Sequence, residues 1–131
     1  MVVGVGTDMI EIARIDQSIR RFGERFLARV FTPAEIAFCQ RKKAPAESFA
    51  ARFAAKEAAA KALGTGIAHG ISWLEIEVVR APGSAPTLVL HGRAAQHASS
   101  LGVRRASLSL THSRSTALAV VLLEDSSPST S

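Results

Sequence analysis

Residues 48–64, SFAARFAAKEAAAKALG, have the strongest helix-forming composition in the chain. Alanine, leucine, lysine and glutamate have high helix propensity, and a glycine commonly follows the last turn of a helix. We therefore predict a helix over Ser48–Leu63 that ends at Gly64. Glu57 and Lys61 are four residues apart, so they share one helix face, where an exposed ion pair would contribute about 0.3 kcal/mol.

The segment before this helix predicts a strand and then another helix. Val2–Val5 is short and β-branched, which predicts a strand that ends near Asp8. Apolar residues then recur every three or four positions, which is typical of a helix with one buried stripe. The stripe consists of Ile15, Ile19, Phe22 and Phe26, although Gly23 can interrupt it.

A further helix start is predicted at Thr32, Pro33 and Glu35. A threonine N-cap, a proline in the first turn and a glutamate three residues after the cap form a capping box. Glu35 is therefore predicted to be structural rather than catalytic.

The second half of the chain predicts four strands and one helix. They are strands over Trp73–Arg80 and Thr87–Leu90, a helix over Gly92–Leu101, and a hairpin of Ser107–Thr111 with Thr116–Leu123. Residues 125–131 are too polar to pack and predict a frayed tail, which leaves residues 1–124 as the domain. The mixed order of elements predicts an α+β fold with an antiparallel sheet packed against helices.

Composition bounds the class of protein. A chain of 131 residues holds one domain, and 16 Lys plus Arg against 11 Asp plus Glu give a net charge of +5, which predicts an acidic partner. Cys39 is the single cysteine and is interpreted as a small buried hydrophobe. The sequence has no basic signal region and no apolar run of ~18 residues, which predicts a cytoplasmic protein.

Several familiar ligand sites are excluded. Gly4 and Gly6 lack the third glycine of a dinucleotide fingerprint, because Met9 stands in its place. Gly64-Thr65-Gly66 follows a helix rather than preceding one, so it is either a helix C-cap or a loop that contacts a ligand. The four histidines, His69, His91, His97 and His112, lack the spacing of a zinc site.

The residues around Lys61 also allow a metal site. If the fold brings Asp8 to Glu57, their two carboxylates could hold Mg²⁺, which keeps water ligands and takes further oxygens from a substrate's phosphates. Lys61 would then contact the same phosphates. Periodicity alone does not bring Asp8 to Glu57, so the simple ion pair and the metal site both remain open at this point.

An ordered set of motifs runs through the chain and resembles one family. The motifs are Gly4-x-Gly6-Thr7-Asp8 with Arg14, Phe31-Thr32-Pro33-x-Glu35, Arg52-Phe53-Ala54-Ala55-Lys56-Glu57-Ala58-x-x-Lys61, Gly64-Thr65-Gly66, and Ser107-Leu108-Ser109-Leu110-Thr111-His112-Ser113. Together they resemble the bacterial holo-[acyl-carrier-protein] synthases, the short class of 4′-phosphopantetheinyl transferases. The resemblance extends from Met1 to about Glu124.

The resemblance implies a reaction. It implies transfer of the 4′-phosphopantetheine group from coenzyme A to a serine of apo acyl carrier protein, with release of adenosine 3′,5′-bisphosphate. Asp8 and Glu57 match the family's Mg²⁺ ligands, Lys61 matches a lysine on the phosphates, and His112 matches a histidine that binds the coenzyme. The base that takes the serine proton stays open between Glu57 and a metal-bound water.

The resemblance also implies wider contacts with the coenzyme and with proteins. The coenzyme's nucleotide and its 3′-phosphate are expected at the matching stretches that contain Lys42, Lys43, Arg52 and Lys56. Its adenine side is expected near the loop of Gly64, Thr65 and Gly66. The family forms homotrimers with active sites at subunit junctions. At 100° per residue, Arg14, Arg21 and Arg25 fall within about 40° on one helix flank, where they are expected to dock the acidic carrier protein.

Two other functions compete with the transferase. A basic nucleic-acid-binding module would explain the charge, but the chain has no tyrosine and one tryptophan, and its six phenylalanines fall mostly on predicted core stripes. A non-enzymatic adaptor for carrier proteins would explain the arginines but would leave Asp8, Glu57 and Lys61 without a common purpose.

Overall fold

The computed structural model describes residues 1–67 and 70–126. The elements in chain order are β1 (Val2–Glu11), α1 (Ile12–Phe22), α2 (Glu24–Val30), α3 (Pro33–Gln40), α4 (Pro45–Ala62), a 3₁₀ turn (Trp73–Glu75), β2 (Ile76–Val79), β3 (Thr87–Leu90), α5 (Gly92–Ser100), β4 (Arg105–His112) and β5 (Thr116–Glu124). The predicted α+β class is confirmed.

The strands form two antiparallel sheets. The larger has the order β1-β5-β4, in which Asp8 pairs with Ala119 and His112 pairs with Ala117. β2 and β3 form a separate ribbon. β1 and β4 are therefore the two edges of the larger sheet, and the predicted C-terminal hairpin is its β4–β5 half.

Helix α4 lies on the larger sheet, and two glycines of β1 let it come close. A side chain on Gly4 would overlap the carbonyl oxygen of Ala62, and one on Gly6 would overlap that of Ala58. The buried face of α4 consists largely of small residues that allow this approach, and Ala54, Ala58 and other alanines are fully buried. The backbones of the helix and the strand are thus in direct contact. This close packing, rather than dinucleotide binding, explains why both positions are glycine.

A buried ion pair joins α3 to α4. Lys56 Nζ lies 2.7 Å from Glu35 Oε1, and both side chains are 0% exposed. The ammonium also donates to the carbonyl oxygens of Trp73 and Ile76, at 3.0 and 2.6 Å. Glu35 closes the predicted capping box with Thr32 and accepts the Val78 amide at 2.8 Å, so its structural role is confirmed.

Several predicted element boundaries are wrong, including that of the strand predicted over Trp73–Arg80, whose first three residues form the 3₁₀ turn. β1 continues to Glu11 because it pairs with β5 along its whole length. Pro45 begins α4 instead of preceding it, since a proline has no amide to lose in the first turn. Residue 125 is not part of a frayed tail, because the Asp125 amide donates to the Met1 carbonyl and its carboxylate pairs with the N-terminus at 3.0 Å. The rest of the predicted tail, from residue 127, lies outside the described residues.

The predicted helix from Arg14 is in fact two helices. Gly23 takes a positive φ of 57° and separates α1 from α2. Phe22 precedes the break and is 54% exposed, so it does not belong to the predicted buried stripe, whereas Ile15 does. Arg25 lies on α2, and the angle predicted between it and the arginines of α1 therefore no longer applies.

Cys39 is fully buried as predicted, and burial raises the pKa of its thiol to about 11.

The face of the larger sheet that points away from α4 is apolar over much of β1 and β5, and no described element covers it. Side chains alternate along a strand, so the glycines that face α4 leave Val3, Val5 and Met9 on the other side. Val5 is 55% exposed and Met9 66%. Leu118, Val120 and Leu122 of β5 continue this face and are half-buried.

Among the described helices, none is long and apolar enough to span a membrane.

Candidate active site

Asp8 and Lys61 meet at the β1 edge of the sheet. Lys61 Nζ lies 2.9 Å from Asp8 Oδ1 and 3.1 Å from the Thr7 carbonyl oxygen. The lysine side chain is 52% exposed and the aspartate 16%. The close approach of α4 to β1 at Gly6 produces this contact between residues 53 positions apart in sequence.

Glu57 completes this corner. It is half-buried, and its pKa is raised, first by burial and then by the negative charge of Asp8, while Lys61 acts in the opposite direction. Glu57 is therefore near enough to Asp8 and Lys61 for its pKa to respond to both charges. The three residues that the resemblance implies for the metal and the phosphates thus lie near one another.

The donor set of this corner suits Mg²⁺. Two carboxylates leave most of an octahedral shell to waters and to phosphate oxygens, which is how magnesium sites with phosphorylated substrates are usually built. A dication between Asp8 and Glu57 would offset the repulsion that raises the Glu57 pKa. Within residues 1–67 and 70–126, no group of three or more metal-ligating side chains converges, so this pair is not part of an all-protein cage.

A second polar site, here called the basic pocket, lies on the other flank of α4 and has a volume of about 470 Å³. It brings together four cations, His112 and one carboxylate. Its lining residues are Phe38, Lys42, Lys43, Ala44, Glu47, Ser48, Ala51, Arg52, Arg80, Leu110, Thr111 and His112. Three residues that were predicted to bind the coenzyme, Lys43, Arg52 and His112, thus line the same pocket.

Phe38 is the centre around which the cations of the basic pocket collect. Arg52 Cζ lies 4.1 Å from the centroid of its ring and Lys42 Nζ 4.6 Å, distances at which a cation is attracted to an aromatic face. Arg41 Cζ is farther, at 6.0 Å. The sequence analysis missed Phe38 and Arg80. The spacing of Phe38 from Arg41 and Lys42 on a helix could have revealed the first, but Arg80 stands alone after its strand.

Lys56 does not reach this pocket, which corrects the expectation that it contacts the coenzyme. Its ammonium is inside the core with Glu35 and two carbonyl oxygens as partners, so its three donors are occupied. Burial lowers the pKa of Lys56, and the Glu35 charge partly offsets that shift. Its motif neighbour Glu57, one position later, lies about 100° farther round the helix.

The loop Gly64-Thr65-Gly66 ends α4. The amides of Thr65 and Gly66 both donate to the Ala60 carbonyl oxygen, and the two glycines have positive φ values of 81° and 65°. This geometry accounts for both glycines as a helix C-cap. Contact of the loop with a ligand stays a prediction.

The predicted docking arginines are exposed. Arg14 and Arg21 lie on α1, where Arg21 stands over the ring of Phe22 at 5.1 Å. Arg25 lines a shallow groove on α2 together with Phe22, Phe26 and Arg29. Arg20, by contrast, pairs with Asp16 at 3.0 Å.

A larger cleft, of about 790 Å³, opens between α1 and the start of α4. Its lining is mostly apolar and includes none of the predicted site residues. The volume of a cavity therefore does not identify the candidate site in this protein. The grouping of charged side chains does.

Comparison with known proteins identifies the class. The sequence profile of the 4′-phosphopantetheinyl transferase superfamily matches residues 4–121. The chain is 58% identical over 125 residues to the holo-[acyl-carrier-protein] synthase of Koribacter versatilis, which covers 95% of this chain and 100% of that relative.

Solved structures agree with this result. The holo-[acyl-carrier-protein] synthase of Neisseria meningitidis superposes with a TM-score of 0.87 at 34% identity, covering 95% of this chain and 100% of that one. The Helicobacter pylori enzyme, solved in complex with coenzyme A, gives a TM-score of 0.81 at 35% identity, over 92% and 99% of the two chains. The chain belongs to the 4′-phosphopantetheinyl transferase superfamily and, within it, to the holo-[acyl-carrier-protein] synthases, and it is an enzyme.

Proposed function

We propose that this protein transfers the 4′-phosphopantetheine group from coenzyme A to a serine of apo acyl carrier protein and releases adenosine 3′,5′-bisphosphate. The observation that carries the proposal is the convergence of Asp8, Glu57 and Lys61 at one corner, across 53 residues of sequence. Relatives named for this activity and a relative's complex with coenzyme A support it.

At this corner, Asp8 and Glu57 would hold Mg²⁺. Mg²⁺ held there would supply positive charge to offset that of the coenzyme's diphosphate during phosphoryl transfer. Lys61 uses one donor on Asp8 and one on the Thr7 carbonyl, which leaves its third donor for a phosphate oxygen. The Thr7 and Asp8 contacts hold the ammonium in place, so it stabilises the diphosphate without reorganising.

The nucleotide end of the coenzyme would lie in the basic pocket, with Lys43, Arg52 and His112 among its contacts. Lys42, Lys43, Arg52 and Arg80 form no ion pair within the part of the chain that the structure covers, and Glu47 is the carboxylate among the lining residues. The excess positive charge suits the phosphates of the donor.

We infer that the two half-sites act together across a subunit junction. Arg52 and Lys61 are nine residues apart on α4, which at 100° per residue places them about 180° apart. One coenzyme molecule would have to pass through the packed helix to touch both sides in a single copy. A β1 edge from one copy beside the basic pocket of the next removes this obstacle and, repeated, closes into a ring.

The uncovered apolar face of the larger sheet supports such an assembly. It carries Val5 and Met9, which a stable monomer would expose to water at a cost. A ring of three copies, as the family resemblance implies, would bury this face around its axis. We therefore propose a homotrimer, and a cytoplasmic location stays a prediction.

Arg14, Arg21 and Arg25 would dock the carrier protein. They are exposed on adjacent helices, and an acidic partner complements their charge and would be steered toward the site.

The test of this function is mass spectrometry of apo acyl carrier protein after incubation with the enzyme, Mg²⁺ and coenzyme A. We expect the serine to gain the phosphopantetheine mass, and chelation of Mg²⁺ to abolish the gain. Several carrier proteins that all stay unmodified would refute the proposal. Light scattering on the same sample is expected to give three copies, and an active monomer would refute the shared site.

A further inference from the structure

The carboxylate of Glu35 links three separate elements of the fold. Its Oε1 accepts a hydrogen bond from the Thr32 amide at 2.8 Å and pairs with the Lys56 ammonium at 2.7 Å. Its Oε2 accepts a hydrogen bond from the Val78 amide at 2.8 Å. Glu35 is 1% exposed, so water does not compete for these contacts. One side chain therefore connects the start of α3 to the middle of α4 and to β2.

Each of these three elements also carries a wall of the basic pocket, close to its contact with Glu35. The pairs of linked residue and pocket residue are Glu35 and Phe38 on α3, Lys56 and Arg52 on α4, and Val78 and Arg80 at the end of β2. Residues three or four apart share one helix face, so both helical pairs act over a single turn. The contacts of one carboxylate thus set the places of three walls relative to one another.

The charge of Glu35 also acts on Arg52. Burial lowers the pKa of the Arg52 guanidinium, and the negative charge of Glu35 opposes that shift. Arg52 is 4% exposed, and within the described part of the chain its Nε has no hydrogen-bond partner. Its Cζ lies 4.1 Å from the centroid of the Phe38 ring, so its position depends on where α3 stands. Loss of the carboxylate would therefore affect both the charge and the surroundings of Arg52.

Capping of α3 does not explain why this residue is charged. A capping box is closed by glutamine as well as by glutamate, and a buried ion pair is costly to desolvate. The contacts of Glu35 with α4 and β2 lie outside the capping box, and they are the ones that the charge serves.

We propose that Glu35 is a positioning residue for the donor substrate. Without touching the coenzyme, it holds Phe38, Arg52 and Arg80 in the arrangement that binds the coenzyme, and so sets the affinity of the basic pocket. This inference rests on the proposed function.

The test compares Glu35→Gln with the double variant Glu35→Gln and Lys56→Met. The single change leaves the Lys56 charge buried without a counter-charge, so we expect a lower midpoint of urea unfolding. The double change removes both charges and should recover most of that loss. We expect KM for coenzyme A to stay raised roughly tenfold in the double variant, with kcat changed by less than about twofold, because a link between α3 and α4 is still missing.

Glu75→Gln is the matched control. Glu75 also closes a capping box, with Ser72, and its carboxylate accepts the Arg93 amide. It is not among the residues that line the basic pocket. This variant should therefore leave KM for coenzyme A unchanged.

Calorimetry with coenzyme A distinguishes this inference from the proposed reaction. It is carried out below the unfolding midpoint of each variant, on protein that circular dichroism shows to be folded. We expect the wild type to bind coenzyme A roughly tenfold more tightly than the double variant, whether or not transfer occurs. Absence of transfer by the wild type, with this difference in binding intact, would refute the proposed function and leave the role of Glu35 standing.

Two results would overturn the role of Glu35. A double variant that recovers both the stability and the coenzyme affinity of the wild type would mean that Glu35 acts on folding alone. An equal rise in KM for the carrier protein and for coenzyme A would mean that the change is not confined to the basic pocket.

Discussion

Two lysines of α4, five residues apart, form similar ion pairs in opposite surroundings. Lys56 meets Glu35 at 2.7 Å with both side chains fully buried, and Lys61 meets Asp8 at 2.9 Å with its own side chain half exposed. Lys56 has its three donors occupied by protein atoms, whereas Lys61 has one to spare. The distance between the charges is nearly the same, so it does not distinguish the two roles. Solvent access and an unused donor do.

The largest effect is expected from Lys56→Met. The change leaves the Glu35 carboxylate buried without its counter-charge, so we expect the free energy of unfolding to fall by about 3–5 kcal/mol. Urea denaturation followed by circular dichroism measures it. Lys61→Met is the matched control and should cost less than about 1 kcal/mol of stability, because its pair is exposed to solvent. It should nevertheless reduce transfer.

An equal loss of stability in both variants would contradict the different roles assigned to Lys56 and Lys61. Wild-type stability of Lys56→Met would contradict them too, since the Glu35 charge would then have to be stabilised in some other way.

The next effect concerns activity. Glu57→Gln keeps the shape of the side chain but removes the charge that would hold Mg²⁺, so we expect transfer to fall by roughly 10²–10³-fold. Stability should stay equal or rise slightly, because the repulsion from Asp8 disappears. Steady-state kinetics and urea denaturation measure the two quantities. Glu24→Gln, on the exposed surface of α2, is the control, and a fully active Glu57→Gln enzyme would remove Glu57 from the site.

A smaller effect is expected at the docking arginines. The double change Arg14→Glu with Arg21→Glu should raise KM for the carrier protein and leave KM for coenzyme A unchanged. Each exposed contact is worth about 1 kcal/mol or less. The rate should also become less sensitive to salt, because charge steering is lost.

Arg20→Glu provides the control for docking, since it lies on the same helix but is paired with Asp16. If the double variant loses coenzyme binding, measured by calorimetry, the two arginines belong to the nucleotide site or to a subunit contact instead.

The smallest effect is a pH dependence at the edge of the buried network. The Thr32 hydroxyl donates to Glu77 at 2.7 Å, and this contact, with a further one from His91, lowers the pKa of Glu77. A lowered pKa in the folded state stabilises the protein above the ordinary pKa of a glutamate, about 4.3, and this contribution is lost as the pH falls through the folded value.

Glu77→Gln should therefore be less stable than the wild type near pH 6, by less than about 1 kcal/mol. The difference should shrink at a pH below the folded pKa of Glu77, which lies under the ordinary glutamate value of about 4.3. Thermal unfolding at both pH values measures it, and a difference that is independent of pH would mean that the charge of Glu77 is not involved.

Local patterns in the sequence predicted local structure well. The capping box at Thr32 and Glu35 needs only neighbouring residues, and it is confirmed. The meeting of Asp8 with Glu57 depends on how closely a strand and a helix far apart in sequence can pack, so the residues alone left it open and the resemblance supplied it.

Features that depend on distant elements escaped prediction. Lys56 lies in the same motif as Glu57, and only the position of Glu35 on α3 and of the carbonyls near β2 shows that it is buried. The site of Arg80 follows from the β2–β3 ribbon packing beside α3, which no local pattern encodes. Phe22 was misjudged because the turn at Gly23 ends the helix that would have buried it.

The contact of β1 with α4 at Gly4 and Gly6 also fixes a dimension. Where a helix rests on side chains, the gap beneath it widens or narrows as those side chains are exchanged during evolution. Here main chain touches main chain, so the strand acts as a rigid stop for the helix. The spacing from Asp8 to Glu57 is thereby insulated from drift in the alanine core, and a change in that core should alter the stability of the enzyme before it alters the geometry of its chemistry.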